Sequence, residues 1–337
     1  MNKHINNLLY LITGVFIGGF GFWVFQKKDS NIIQNEQITA LPWQPKSIER
    51  DLPKGEEGLE IKYGFRLITE TSEYIGPLAK DEKMRFAGNN LSCENCHLNG
   101  GRKVGAGSFV GVANRFPQFR GRENKNGTLE ERINGCMERS MNGRVMKKSS
   151  DEMQAIIAYM TWLSDDVPPE QEELYKGYIS IPIPEYKAEP IIGKKLYENN
   201  CLECHQKDGS GHKIPGDTFS GYIYPPIGGE DSYNDGAGMN RVLTAAAFIK
   251  SNMPLGATHY APKLTDEESY HIAAYINTLE RPSKPNKEAD FPDITLKPVS
   301  TPYGPWADEF AAEQHKFGPF LPIIAYYKKK YDIIKKK

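Results

Sequence analysis

A chain of 337 residues with 42 Lys and Arg against 43 Asp and Glu has a formal net charge of -1. No global field therefore recruits nucleic acid or an anionic surface, and any anion site has to be local. The length accommodates two domains of ordinary size with connectors.

The N-terminus runs from Leu8 to Phe25 without a charge, between Lys3 and Lys27-Lys28. A helix of that length reaches about 27 Å, one hydrocarbon core. Residues 1–28 therefore read as an export segment or a membrane anchor. The nearest small-x-small cleavage site is the poor Ile38-Thr39-Ala40, which favours an uncleaved anchor. Residues 29–55 are polar, with Pro42, Pro45 and Pro53, and read as a tether.

Two segments then repeat one pattern, Cys93-Glu94-Asn95-Cys96-His97 and Cys201-Leu202-Glu203-Cys204-His205. C-x-x-C-H is the attachment signature of a c-type haem: each thiol adds across one porphyrin vinyl group, and the adjoining histidine lies under the iron. A lone C-x-x-C suits a zinc half-site or a redox dithiol. Histidine directly after it, twice, puts haem ahead. The expected cofactors are two covalently bound haem c groups, on Cys93 and Cys96 and on Cys201 and Cys204, with His97 and His205 as proximal ligands. Thioether bonds of this kind are made outside the cytoplasm, so the expected compartment is the periplasm, with tethering by residues 8–25.

The fold class that follows is mainly α, two tandem cytochrome c domains behind the N-terminal hydrophobic segment. Domain one spans 56–168 and opens with a short helical pattern around Gly64; residues 71 to 90 then delay the haem signature. Thr128-Leu129-Glu130-Glu131 is a capping box that starts a helix with Leu129, Ile133, Cys136 and Met137 on its apolar face. Ser149 to Glu152 reads as a second box, opening a closing helix with Met153, Ile156, Ile157 and Met160 inward. Domain two, with its strap, spans 169–285. There Gly193, Leu196 and Tyr197 lead almost directly into Cys201, and Thr265 to Glu268 caps the last helix. Residues 286–337 carry six prolines and two Lys triplets, and read as a tail that wraps both domains and ends in a solvated basic tip.

What fills the sixth position on each iron separates a carrier from a catalyst. Met253, in Asn252-Met253-Pro254, stands where small cytochromes c supply a distal methionine, with Met239 as its nearby rival. Cys136 is the odd thiol left over. A buried free cysteine is ordinarily a small hydrophobe, but this one lies where the first iron needs a distal ligand, and a thiolate there would lower that iron's potential. Around it are Arg102, Arg115, Arg120, Arg122, Arg132, Arg139 and Arg144. Most are expected to be solvated; Arg115 and Arg139, beside the haem-one and Cys136 motifs, are expected to hold a small oxyanion.

Ile133-Asn134-Gly135-Cys136-Met137-Glu138-Arg139-Ser140-Met141-Asn142-Gly143, flanked by two C-x-x-C-H sites and followed by Asn252-Met253-Pro254, resembles the dihaem thiosulfate dehydrogenase family, tetrathionate-forming type, over about residues 58–285. The resemblance implies that Cys136 ligates the active-site haem. It also implies that two thiosulfates are joined to tetrathionate, with electrons passed to a cytochrome c-type partner; some relatives run well in the reverse direction. Family members with a lysine before the domain-two methionine exchange ligands, and Asn252 at that place speaks against such a switch here. The residues alone leave two other classes open. A dihaem electron carrier would keep both irons closed and give Arg115 and Arg139 no role. A dihaem peroxidase would need an opened iron and peroxide-cleaving groups rather than a cysteine ligand.

Overall fold

The computed structural model describes residues 43–216, 218–335 and 337. The apolar run 8–25, with the anchor expected there, lies outside the described residues. Among the described residues no helix is long and apolar enough to cross a membrane. Pro45–Lys337 form one compact unit. Its principal helices are α1 (Glu56–Thr69), α2 (Leu129–Arg139), α3 (Asp151–Trp162), α4 (Pro190–Asn200), α5 (Val242–Asn252), α6 (Asp266–Ile276) and α7 (Leu321–Tyr331). Strand among the described residues is confined to two antiparallel pairs, Gln118–Arg120 with Lys125–Gly127 and His212–Lys213 with Tyr222–Tyr224.

The two halves repeat one crossing. Helix α1 packs on α3, and α4 packs on α6. A Cβ on Gly64 would stand 2.0 Å from the Ala155 carbonyl oxygen, and one on Gly193 would stand 1.9 Å from that of His271. Both crossings close only because glycine has no side chain there. Around the first, Leu67, Ile68, Met137, Met153 and Tyr159 form a buried core; around the second, Tyr197, Val242, Ala246 and Ile272 do the same.

Capping fixes where the site helices begin. At α2 the Thr128 hydroxyl accepts from the Glu131 N–H (3.4 Å), and the Glu131 carboxylate accepts from the Thr128 N–H (3.2 Å). At α6 Thr265 and Glu268 make the same reciprocal pair (3.1 and 2.8 Å). The box expected from Ser149 is displaced by one residue: Ser150 is the cap, accepting from the Met153 N–H at 3.3 Å. The apolar row decides this, because that start turns Met153, Ile156 and Met160 inward, all buried.

The tail is part of the packing. Val299, Phe317, Phe320, Ile323 and Tyr327 join the second core, while Phe291 donates its N–H to the Arg122 carbonyl at 2.8 Å. Lys328 to Lys330 are exposed as expected. Lys335 is not: it is 8% exposed, and its Nζ donates to the Thr295 (2.9 Å) and Lys297 (2.6 Å) carbonyls. A buried ammonium requires such acceptors, and the two carbonyls draw this lysine out of the solvated tip.

Candidate active site

The cap at Thr128 sets the phase of α2, and that phase turns Cys136 toward His97. Burial pushes the Cys136 thiol up, but the Arg132 guanidinium, the His97 ring and the Arg139 guanidinium outweigh it and bring it down to about 6. Arg132 Nη1 donates to Cys136 Sγ at 2.7 Å, one helical turn away on the same helix. The signature thiols behave oppositely. Burial pushes Cys93 up to about 11 and Cys96 up to about 12. The surroundings thus favour the thiolate at Cys136 and the neutral sulfur at those two.

His97 Nδ1 lies 2.6 Å from the Gly107 carbonyl oxygen. A carbonyl only accepts, so Nδ1 carries a proton, and the opposite nitrogen, Nε2, is the one from which the ring would hold a metal. A slot lined by Ile68, Leu91, Phe109, Ile133, Met137 and Met160 opens on Cys93, Cys96, His97 and Cys136. An apolar slot lined by the two signature thiols and by both His97 and Cys136 fits haem c.

The other side of the same pair is polar. A cavity of about 280 Å³ opens on Cys96, His97 and Cys136, and Arg120, Arg122, Arg132, Arg139 and Arg241 line it. Arg120 pairs with Glu123 at 3.0 Å. Arg122 pairs with Asp290 and donates to the Tyr303 hydroxyl at 2.9 Å, and that hydroxyl donates to Asp290 at 2.8 Å. Among the described residues Arg139 makes no ion pair with a carboxylate, and Arg241 Nη1 donates to the Lys337 oxygen at 3.4 Å. Arg139 is 7% exposed. Burial, then the neighbouring Arg122, pulls both guanidiniums down to about 10, and the buried Arg241 Nε has no hydrogen-bond partner. Cations crowded out of water without anions create a demand for an anionic ligand.

The second haem signature shares one detail with the first. His205 Nδ1 lies 3.0 Å from the Pro225 carbonyl oxygen, again leaving Nε2 as the nitrogen for a metal, and burial lowers its pKa. Burial pushes Cys201 up to about 12. Met253 follows the last turn of α5 and packs on the core that Cys201 also borders. Met239 touches both cores and lines the arginine cavity instead.

The structure therefore brings Cys93, Cys96, His97, Cys136 and Arg139 together. Arg115 is not with them: its guanidinium faces Glu172 at 3.6 Å, against the strap between the domains. Arg120, Arg122 and Arg132, expected among the solvated arginines, line the cavity instead, and Arg241 and Tyr178 were not singled out from sequence. Arg132 had a signal, its four-residue spacing from Cys136 on a capped helix. Arg241 and Tyr178 come from the far half of the chain and had none.

Fold and site together define a tandem cytochrome c that carries haem c. Residues 83–168 match the SoxA/TsdA cytochrome c domain, and residues 191–280 match the cytochrome c family. The thiosulfate dehydrogenase of Stutzerimonas stutzeri is 38% identical over 70% of this chain and 72% of its own length. That of Allochromatium vinosum is 39% identical over 68% of this chain and 82% of its own. The chain belongs to the thiosulfate dehydrogenase family. The solved thiosulfate dehydrogenase (TsdBA) of Marichromatium purpuratum superposes with a TM-score of 0.64 at 33% identity, covering 72% of this chain. This chain spans half the length of that one.

Proposed function

We propose that this chain oxidises two thiosulfates to tetrathionate at the Cys136 cavity and passes two electrons to a cytochrome c-type partner. The observation that carries the reading is Cys136 and His97 opening on one cavity with Arg132, Arg139 and Arg241, where among the described residues Arg139 has no carboxylate partner. Thiosulfate is a small dianion, and two of them repel unless cations offset the charge in a poorly hydrated cavity. Haem c, when bound at the two signatures, supplies the electron acceptors.

In this reading Arg139 and Arg241 hold the sulfonate oxygens and aim a sulfane sulfur at Cys136 Sγ. The thiolate and the first thiosulfate lose two electrons and form a sulfur–sulfur bond, leaving a sulfonated disulfide on Cys136. The second thiosulfate attacks the sulfane sulfur; tetrathionate leaves, and the thiolate is regenerated beside Arg132. The step runs backward when reductant is supplied. Arg115 has a structural role in this scheme, pairing with Glu172. His97, Cys136, His205 and Met253 are the proposed iron ligands, and Cys93, Cys96, Cys201 and Cys204 the attachment sites. Thioether attachment places the body in the periplasm, with residues 8–25 as its proposed tether.

The test is thiosulfate with ferricyanide on purified protein, followed by assay for tetrathionate. Turnover of peroxide with reduced cytochrome, and none of thiosulfate, would overturn the reading. Mass spectrometry of the exported chain should find two haem additions; one or none refutes the attachment scheme. Arg139→Gln should lower kcat/KM for thiosulfate tenfold or more, since a lost charge-assisted contact costs roughly 1.5–3 kcal/mol. Wild-type kinetics with normal haem spectra would remove Arg139 from the site.

A further inference from the structure

Between the two signatures lies a glycine-rich loop that the chemistry above leaves unused. At one end the Gly107 carbonyl accepts from His97 Nδ1 (2.6 Å). Two residues earlier, the Gly105 carbonyl accepts from Asn252 Nδ2 (2.9 Å), and Lys103 Nζ donates to the Ala257 carbonyl (3.1 Å). Asn252 and Ala257 bracket Met253. One short stretch of chain thus holds the imidazole of the first site through its backbone and grips the methionine segment of the second from both sides, through the Gly105 carbonyl and the Lys103 side chain.

Its glycines are what allow this. Gly105 has φ +75°, and a Cβ there would stand 3.0 Å from Ser251 Cβ; Gly107 has φ +62°, and its Cβ would stand 3.3 Å from the His97 ring. The loop passes between α5 and the imidazole with no room for side chains. Asn252 is 2% exposed, and its amide nitrogen also donates to the Phe248 carbonyl at 3.0 Å. Both acceptors are carbonyls, so the amide has one orientation. It joins α5 rigidly to the loop.

We infer that Lys103–Gly107 couples the two haem sites, with Asn252 and Lys103 as positioning residues that set the His97 hydrogen bond from the Met253 side. The inference rests on the ligand assignments proposed above. The physical link is the strength of the Nδ1–H···O bond, which governs how basic the opposite nitrogen is as a ligand. Without the Asn252 amide, a buried carbonyl loses its donor. The loop then shifts to find another, and the His97 bond changes with it. A movement of Met253 would reach His97 by the same route.

The test uses the oxidised dihaem protein and reads electron paramagnetic resonance and the redox titration of each haem, in Asn252→Ala, Lys103→Met and Lys103→Arg. Expected is a shift in the thiolate-type signal and potential of the first haem in Asn252→Ala and Lys103→Met, with Lys103→Arg restoring the wild-type signal. First-haem signals superimposable on wild type in Asn252→Ala and Lys103→Met would overturn the coupling, whatever happens at the second haem. If Asn252→Ala does not mature, the two Lys103 variants decide alone, because that side chain lies at the rim of the contact. Met253→Gly separates this from the ligand assignment. An unchanged near-infrared sulfur-to-iron band there refutes Met253 as ligand, whereas a lost band with an unmoved first haem in Asn252→Ala refutes only the coupling.

Discussion

Cys136→Ala should eliminate thiosulfate oxidation while leaving both haems attached. The side chain is small and only partly buried, and alanine suits the interior of α2. The substitution therefore removes chemistry rather than structure. What disappears is the sulfur that Arg132 contacts at 2.7 Å and that His97 faces. Attachment runs through Cys93, Cys96, Cys201 and Cys204 in the proposed scheme, so mass and haem content should match wild type. The thiolate-type ferric signal of one haem should vanish, and the signal of the other should stay. A fall of at least a thousandfold in kcat is expected, because a nucleophile has no substitute in the cavity. Retained activity with an unchanged spectrum would return Cys136 to the status of a packing residue and favour a pure electron carrier.

Much of this arrangement was legible in the chain because it is written in local rules. Two C-x-x-C-H segments, a Thr-x-x-Glu box before each of α2 and α6, and a glycine in α1 and α4 were enough for two tandem mainly helical units. The position of Cys136 beside the first haem signature was legible too, since it lies on the apolar face of a helix whose capping box fixes its start. The arginines were harder. Arg115 lies closer than Arg132 to the first haem signature in sequence, but Arg115 meets Glu172 from the interdomain strap, whereas Arg132 rides the same helix as the sulfur and donates to it. Arg241 enters the cavity from just before α5, and Asp290 and Tyr303 reach Arg122 from the tail. Those meetings are tertiary, and no spacing along the chain encodes them. The close approaches of Gly107 to His97 and of Gly105 to Ser251, where the second half of the chain meets the first, are tertiary in the same way.

Arg132→Met should lower kcat/KM for thiosulfate by tenfold to a hundredfold and shift the ferric signal of the first haem. Methionine keeps most of the apolar stem, so packing beside α2 survives while the guanidinium is lost. Burial alone pushes the Cys136 thiol up, and the Arg132 guanidinium is the largest of the groups opposing it. Losing it leaves a partly buried thiolate with weaker compensation. A hydrogen bond to a charged group contributes about 1.5–3 kcal/mol, which sets the expected fall at roughly ten- to a hundredfold. The donor also withdraws charge from the sulfur, so its loss should strengthen the thiolate as a ligand and make it slower to leave for substrate. Arg132→Lys keeps the charge without the planar fork and should recover part of the rate. Kinetics and spectra identical to wild type in Arg132→Met would mean that the contact at 2.7 Å does not govern the sulfur. The lowered thiol pKa would then have to come from His97 and Arg139 alone.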